Sequence, residues 1–223
     1  MFQKILCSLL ILMSGLVYGQ DDLSAFRKGI IVFASGDSVK ADFSINLTND
    51  LIQVMEGGAL KTYSARQINR FYYAENDNAI IRFFYTYYYN EGRGYGYPKL
   101  FEVVYVGSSL SLLTRESIIT ENVPMYDGFS GRSMVTTRQR LQTDYYFVIP
   151  NQVPDRKPNV VRYKFSKKQL FKICKDRGKE MKAFYKEQNL GYSNKASLIK
   201  FVDYYNALKQ GNNNGKETPD ISK

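Results

Sequence analysis

The chain has no histidine and no tryptophan, and only two cysteines, Cys7 and Cys174. Without histidine it lacks the commonest general base, the commonest zinc ligand and the side chain that switches charge near neutral pH. Ser-His-Asp and Cys-His mechanisms are therefore excluded. Cys7 lies inside an N-terminal apolar run; if that run is removed, Cys174 stands alone, and an intrachain disulfide or a thiolate metal site is excluded with it. The carboxylates are scattered and form no D-x-D-x-D-G pattern, so no motif marks an oxygen-ligand Ca²⁺ or Mg²⁺ site. No catalytic residue, metal or cofactor is expected.

What is present starts at the N-terminus. In MFQKILCSLLILMSGLVYGQ a lone cation, Lys4, precedes the apolar run Ile5 to Met13, and compact residues follow at Val17-Tyr18-Gly19. That layout is a secretory signal segment over residues 1–19 with a cut after Gly19. The run is shorter than the roughly 20 residues of a spanning helix, and Asp21-Asp22 follow at once. Cys7 sits within the run rather than at its end, which argues against a lipid anchor. The expected address is secreted, periplasmic or outer-membrane-associated, with no transmembrane span in the mature chain.

About 204 residues remain after such a cut, 44% of the whole chain is hydrophobic and 23% charged, enough to bury a core. Net charge is +10 for the whole chain. The cations read as spread along the sequence, with a modest concentration between Arg156 and Lys186, and no nucleic-acid partner is expected.

Aromatic residues reach 15%, through 19 Tyr and 14 Phe, and short alternating runs carry them, as suits a pleated, half-buried surface. Gly29 to Phe33 and Val39 to Ile45 flank the turn Ser35-Gly36-Asp37 and predict a hairpin. Leu51 to Met55 with Ala59 to Tyr63, and Arg70 to Ala74 with Ala79 to Tyr89, predict two more. Leu100 to Val106, Leu110 to Thr114 and Asp144 to Ile149 read as further strands. Pro124 to Gln142 is polar, shows no period and reads as a long mobile loop.

The last quarter changes period. Ser166 and Gln169 form a capping-box signature before Leu170, Ile173 and Cys174. Gly178 breaks the segment, and Met181, Phe184 and Tyr185 resume it. A second helix starts at Ser193 and carries Leu198, Phe201, Val202, Tyr205 and Leu208. The expectation is an α+β protein: an antiparallel β-rich body over 20–158, built as a roll or barrel or as two small sheets, a helical segment over 159–209 packed on it, and a disordered tail over 210–223.

The sites worth naming are aromatic or basic. Tyr85, Tyr87 and Tyr89 share one face of a strand while Phe84 and Tyr88 share the other. With Tyr95 and Tyr97 these tyrosines form a candidate platform for a ligand. Gly92-Arg93-Gly94-Tyr95-Gly96 superficially resembles a phosphate cradle, but Pro98 and a strand follow where a helix N-terminus is needed. Arg93 is kept as a possible contact, as are Arg132 and Arg138, which with Arg140 offer guanidinium forks for an anion. Cys174 reads as a small core residue. Glu102, Glu116 and Asp144 are carboxylates whose pairing the sequence leaves open.

Lys28-Gly29-Ile30-Ile31-Val32 with Gly36-Asp37-Ser38-Val39-Lys40, then Lys61-Thr62-Tyr63-Ser64 with Gln67-Ile68, resembles a pattern in uncharacterised secreted β-rich proteins of Bacteroidota-type bacteria. Phe101 to Gly107 is similar to their next strand, and Phe165 to Lys168 and Phe201 to Asn206 look like their closing helices. Ser64-Ala65-Arg66-Gln67 departs from their acidic version. The resemblance implies an envelope location and a β-rich architecture, and brings no catalytic residue. It also makes Asp37-Ser38-Val39 similar to an O-glycosylation acceptor in such bacteria. The leading expectation is a non-catalytic interaction or structural module with a protein or glycan partner at the cell envelope. The alternatives are a carboxylate-only hydrolase of glycosidase type and a binder of polyanionic glycan or lipid headgroups.

Overall fold

A computed structural model describes residues 25–75, 80–92, 94–126, 133–151 and 157–213. The expected signal segment and the last ten residues of the expected tail lie outside the described residues. The β body comprises β1 (Arg27–Phe33), β2 (Ser38–Asn46), β3 (Leu51–Glu56), β4 (Ala59–Ser64), β5 (Ile68–Glu75), β6 (Ile80–Tyr89), β7 (Tyr97–Tyr105), β8 (Ser111–Tyr126), β9 (Ser133–Ile149) and β10 (Asn159–Arg162). All join one antiparallel sheet in the order β10-β9-β8-β7-β6-β5-β1-β2-β3-β4. The α+β class is as expected; a single continuous sheet replaces the two-small-sheet alternative.

The strand order forces a roll. β4 and β5 lie at opposite sides of the β5-β1-β2-β3-β4 portion, yet only Ala65, Arg66 and Gln67 join them. Four residue steps reach about 14 Å, whereas four flat interstrand spacings need about 19 Å. The five strands therefore curl, and Ile31, Phe43, Ile52, Val54, Ile68, Phe71 and Tyr73 meet inside, joined by Phe84 of β6 and Leu100 of β7. Gly29 belongs to this tightness: a Cβ there would strike the Tyr72 carbonyl, Phe43 and Tyr73.

Where β7 and β8 part beyond Glu102↔Thr114, the β2–β3 turn fills the fork. Asp50, in the left-handed region at φ 56°, accepts the Leu100 N–H at 2.9 Å and Arg115 Nη1 at 2.6 Å. Arg115 also donates to the Leu100 carbonyl at 2.8 Å and to the Leu47 carbonyl.

On the opposite face of the sheet, Tyr89, Phe101, Leu113, Tyr146, Val148 and Val160 form a second core between β6 and β10. β10 corrects the start of the segment expected to be helical over 159–209: it follows Pro158 directly, and Val160 and its short ladder on β9 hold it.

β8 and β9 run on past the rest of the sheet. From Glu116↔Thr143 to Tyr126↔Ser133 they pair only with each other, a ribbon roughly 35 Å long. This corrects the expected loop over 124–142. Ile118, Ile119, Val123, Val135, Thr136 and Thr137 are β-branched and favour strand. With both faces in solvent, no apolar alternation marked them.

The helices are α1 (Lys167–Ile173), a 3₁₀ turn Lys175–Arg177, α2 (Gly178–Glu187) and α3 (Lys195–Asn213). Leu170, Cys174, Met181, Tyr185, Leu198, Phe201, Val202 and Tyr205 pack on Leu112, Tyr145 and Phe147 of the sheet. Asn206 fastens the layer: its Oδ1 accepts the Ser109 and Leu110 N–H groups at 2.8 and 3.0 Å, and its Nδ2 donates to the Leu110 and Val202 carbonyls at 2.8 Å each. The expected capping box does not close. Ser166 makes no side-chain cap, and Gln169 instead reaches further back, accepting Lys164 N–H and donating to the Arg162 carbonyl. α3 starts two residues later than expected, with Asn194 Oδ1 accepting Ala196 N–H. It also continues past Lys209, where Gln210 Nε2 donates to Ser108 Oγ. Among the described residues no helix is long and apolar enough to cross a membrane.

Candidate functional site

Strand alternation decides which aromatic side chains leave the core. Ile31, Phe71 and Phe84 point into the rolled core, so Ile30, Tyr72 and Phe83 lie on the other face. The register aligns Lys40, Ile30, Tyr72 and Phe83 as one row across β2, β1, β5 and β6. The next row sets Val32, Arg70, Tyr85 and Phe101 side by side. Beyond it Tyr87 faces Lys99, and Tyr89 faces Tyr97. Ring centroids are 5.5 Å apart for Tyr72–Phe83 and 6.4 Å for Tyr85–Tyr87.

Burial grades along β6. Tyr89 is 7% exposed within the second core, Phe83 is 43% exposed and Ile81 50%, with Tyr85 and Tyr87 half-buried between them. Lys28, Lys40 and Arg70 are exposed around this face, and among the described residues none makes an ion pair. Burial pushes the Tyr87 and Tyr89 hydroxyls above their ordinary value. The face is an aromatic floor with cations at its margin, an arrangement that offers stacking and anion contacts.

Of the eight residues singled out by sequence, the structure brings four together: Tyr85, Tyr87, Tyr89 and Tyr97. Tyr89 is a core residue, against Phe101 and Tyr146 at 6.1 and 5.3 Å. Lys99 Nζ lies 4.8 Å from the Tyr97 ring and bonds Glu91. Tyr95 is fully exposed and stands apart in its turn. Arg138 belongs to the ribbon, as does Arg140, which pairs with Glu121. Arg93 and Arg132 lie outside the described residues. Sequence reasoning missed Tyr72, Phe83 and Arg70. Their alternation within β5 and β6 was visible, but only the register makes them neighbours of the tyrosine row.

The carboxylates do pair, though not with each other. Glu102 receives a two-pronged bond from Arg82, Nε at 2.9 Å and Nη2 at 2.6 Å. Glu116 approaches the same Nη2 at 3.6 Å, and Glu75 approaches Nη1 at 3.3 Å. Thr114 Oγ1 donates to Glu102 at 3.2 Å. Burial opposes the Arg82 charge, but the bond to Glu102 and the fields of Glu102, Tyr73 and Glu116 outweigh it and hold the guanidinium well above its ordinary value. A cavity of about 450 Å³ adjoins the cluster, lined also by Arg27, Thr143, Tyr145 and Lys195. In a two-carboxylate glycosidase the sugar occupies the space between the acids; here a guanidinium does. Asp144 is likewise taken, by Arg162 at 2.8 Å. Among the described residues no three acidic or thiol side chains converge on a metal position. Cys174 is fully buried in the helical core, and burial pushes its thiol up to about 12.

No protein-family model matches the chain, and no curated protein or solved structure matches it either.

Proposed function

We propose that the protein is a secreted, cell-envelope-associated module that holds a protein or glycan partner and carries out no catalysis of its own. The observation that carries this reading is the contiguous row of half-buried Tyr72, Tyr85 and Tyr87 around the exposed Phe83, with Lys28, Lys40 and Arg70 at its margin. Contiguous, partly exposed rings are retained where something covers them, since isolated apolar side chains are common on surfaces and rows are not. The signal-like N-terminus and the resemblance to secreted proteins support the address. The Arg82 cluster supports the non-catalytic part, because its acids already hold a fixed cation.

The test compares chain 20–223 with a Tyr72→Ser/Phe83→Ser variant for binding to isolated envelope material. A loss of at least tenfold with an unchanged circular dichroism spectrum is expected; equal binding by the folded variant overturns the reading. Mass spectrometry of the exported protein reads the address: a mature chain starting at Gln20 is expected, and an uncleaved chain in the cytoplasm overturns it.

A further inference from the structure

A second surface, on another part of the molecule, carries its own ligand chemistry. Residues 20–158 contain fifteen Lys and Arg and fifteen Asp and Glu, so the β body is balanced. Residues 159–209 contain thirteen cations and four acids. The excess charge of the chain thus resides in its helical layer, which corrects the impression of cations spread along the sequence.

Within that layer seven lysines are concentrated that make no ion pair among the described residues. Lys167, Lys168, Lys172, Lys175, Lys179, Lys182 and Lys186 are all exposed on α1, the 3₁₀ turn and α2. Three acids lie on the same elements: Asp176 is held by Lys209 at 3.0 Å and Glu180 by Arg177 at 3.5 Å, and Glu187 is exposed at the end of α2, beside Lys186. α1 and α2 fold against each other, since the Phe171 and Tyr185 rings lie 5.6 Å apart. Lys167 Nζ sits 4.6 Å from the Tyr185 ring and Lys182 Nζ 5.9 Å from the Phe171 ring. Lysines distant in sequence therefore crowd one patch, at a cost in mutual repulsion that an anionic partner would relieve.

We propose that this lysine patch binds a linear acidic polysaccharide. Three features select that partner among polyanions. The seven exposed cations of the patch are lysines, mobile point charges that meet sulfate or carboxylate groups at varied spacing, while the guanidinium among them, Arg177, which could read phosphate geometry, is turned to Glu180. The aromatic rings beneath are packed in the core or half-buried, so no stacking platform for bases is presented. The apolar side chains of α1 and α2 face the sheet, leaving no exposed apolar edge on these helices to enter a lipid interface.

The experiment titrates chain 20–223 with dextran sulfate, with neutral dextran of equal length, with vesicles containing anionic lipid and with a single-stranded oligonucleotide. Dextran sulfate is expected to bind tightest and neutral dextran not at all. Log affinity should fall with log salt at a slope of about −5, if the seven lysines each release about 0.7 counterion. Lys167→Gln/Lys172→Gln/Lys182→Gln should weaken binding at least tenfold and flatten the slope by about 2. Arg66→Gln/Lys195→Gln/Lys200→Gln removes the same charge elsewhere and should stay within about threefold of wild type at the same salt, as expected of charges outside the contact. Equal losses in the two triple variants, salt-insensitive binding, or tighter binding to vesicles or oligonucleotide each overturn the proposal. None of these outcomes bears on the aromatic face, which keeps all its residues in both variants.

Discussion

Asp50→Asn should unlock the body of the protein. Arg115 is almost wholly removed from water, its side chain 10% exposed beside an Asp50 carboxylate 14% exposed. The guanidinium makes two bonds to Asp50, at 2.6 and 3.1 Å, and serves the Leu47 and Leu100 carbonyls as well. Asparagine preserves the shape, tolerates the left-handed backbone at this position and keeps an acceptor for the Leu100 N–H. It removes the charge that compensates the guanidinium and turns the oxygen that accepts from Arg115 Nη2 into an amide donor. Breaking a buried pair by removing one partner costs about 3–5 kcal/mol, and the residual exposure of both groups puts this one near 3. For a body of this size that is a fall in Tm of about 6–12 °C. Urea unfolding followed by circular dichroism should show a lower midpoint with an unchanged m-value. Adding Arg115→Met removes the stranded charge and should recover about 1–2 kcal/mol. A loss under about 1 kcal/mol for Asp50→Asn, or a double variant less stable than the single, would refute the lock.

Gly29→Ala should cost at least about 2 kcal/mol, because its Cβ meets the Tyr72 carbonyl in the β1–β5 ladder; thermal melts of that variant check it. Asn206→Ala strips four bonds from the β7–β8 turn and α3 and should cost about 3 kcal/mol by urea unfolding. Alkaline stability follows from the phenols and the thiol. Burial, then the bond to Asp203, pushes Tyr105 up to about 12. Burial, then the Asp144 charge, does the same for Tyr146, and Cys174 also stands at about 12. The unfolded chain releases these protons first, so stability is full below about pH 9 and falls as pH rises towards 12. Phenolate absorbance should then rise together with loss of the dichroism signal; phenolate appearing while the fold persists would contradict it. Limited trypsin should cut first after Arg138 or Arg140 in the ribbon and leave the body folded, since an isolated two-stranded ribbon is marginal in water. An earlier cut in β6 or β7, read by mass spectrometry, would refute that.

Much of this architecture is legible in residue order. The three N-terminal hairpins, the break near Gly178, the burial of Cys174 and the change from period two to a helical period were visible because one face of each element is apolar. What escaped depends on which strands become neighbours. The β1–β5 pairing joins segments separated by three strands and sets Ile30 and Val32 beside Tyr72 and Arg70, while the β5–β6 register is what places Tyr72 and Arg70 beside Phe83 and Tyr85. The ribbon escaped because neither of its faces is buried, so its strands carry no alternation to read. The Arg82 cluster escaped because Glu75, Glu102 and Glu116 come from three strands and meet only through register. Gln169 reached Lys164 rather than its expected cap because β10 ends close by and leaves the Arg162 carbonyl open to it.

The filled fork between β7 and β8 also sets an order of assembly. A chain emerging N-terminus first has all five rolled strands in hand at Glu75, and every contact but one pairing among them is between sequence neighbours. Yet the roll still lacks Phe84 and Leu100 from its interior, and the Asp50 carboxylate waits for the Leu100 N–H and Arg115, which follow 50 and 65 residues later. The first half to appear is therefore among the last to become rigid. Until then its β2–β3 turn is a loose flap, and the Leu100 amide it will cap stands open. Contacts at such separation slow folding, and they give the growing chain an interval in which it stays pliable.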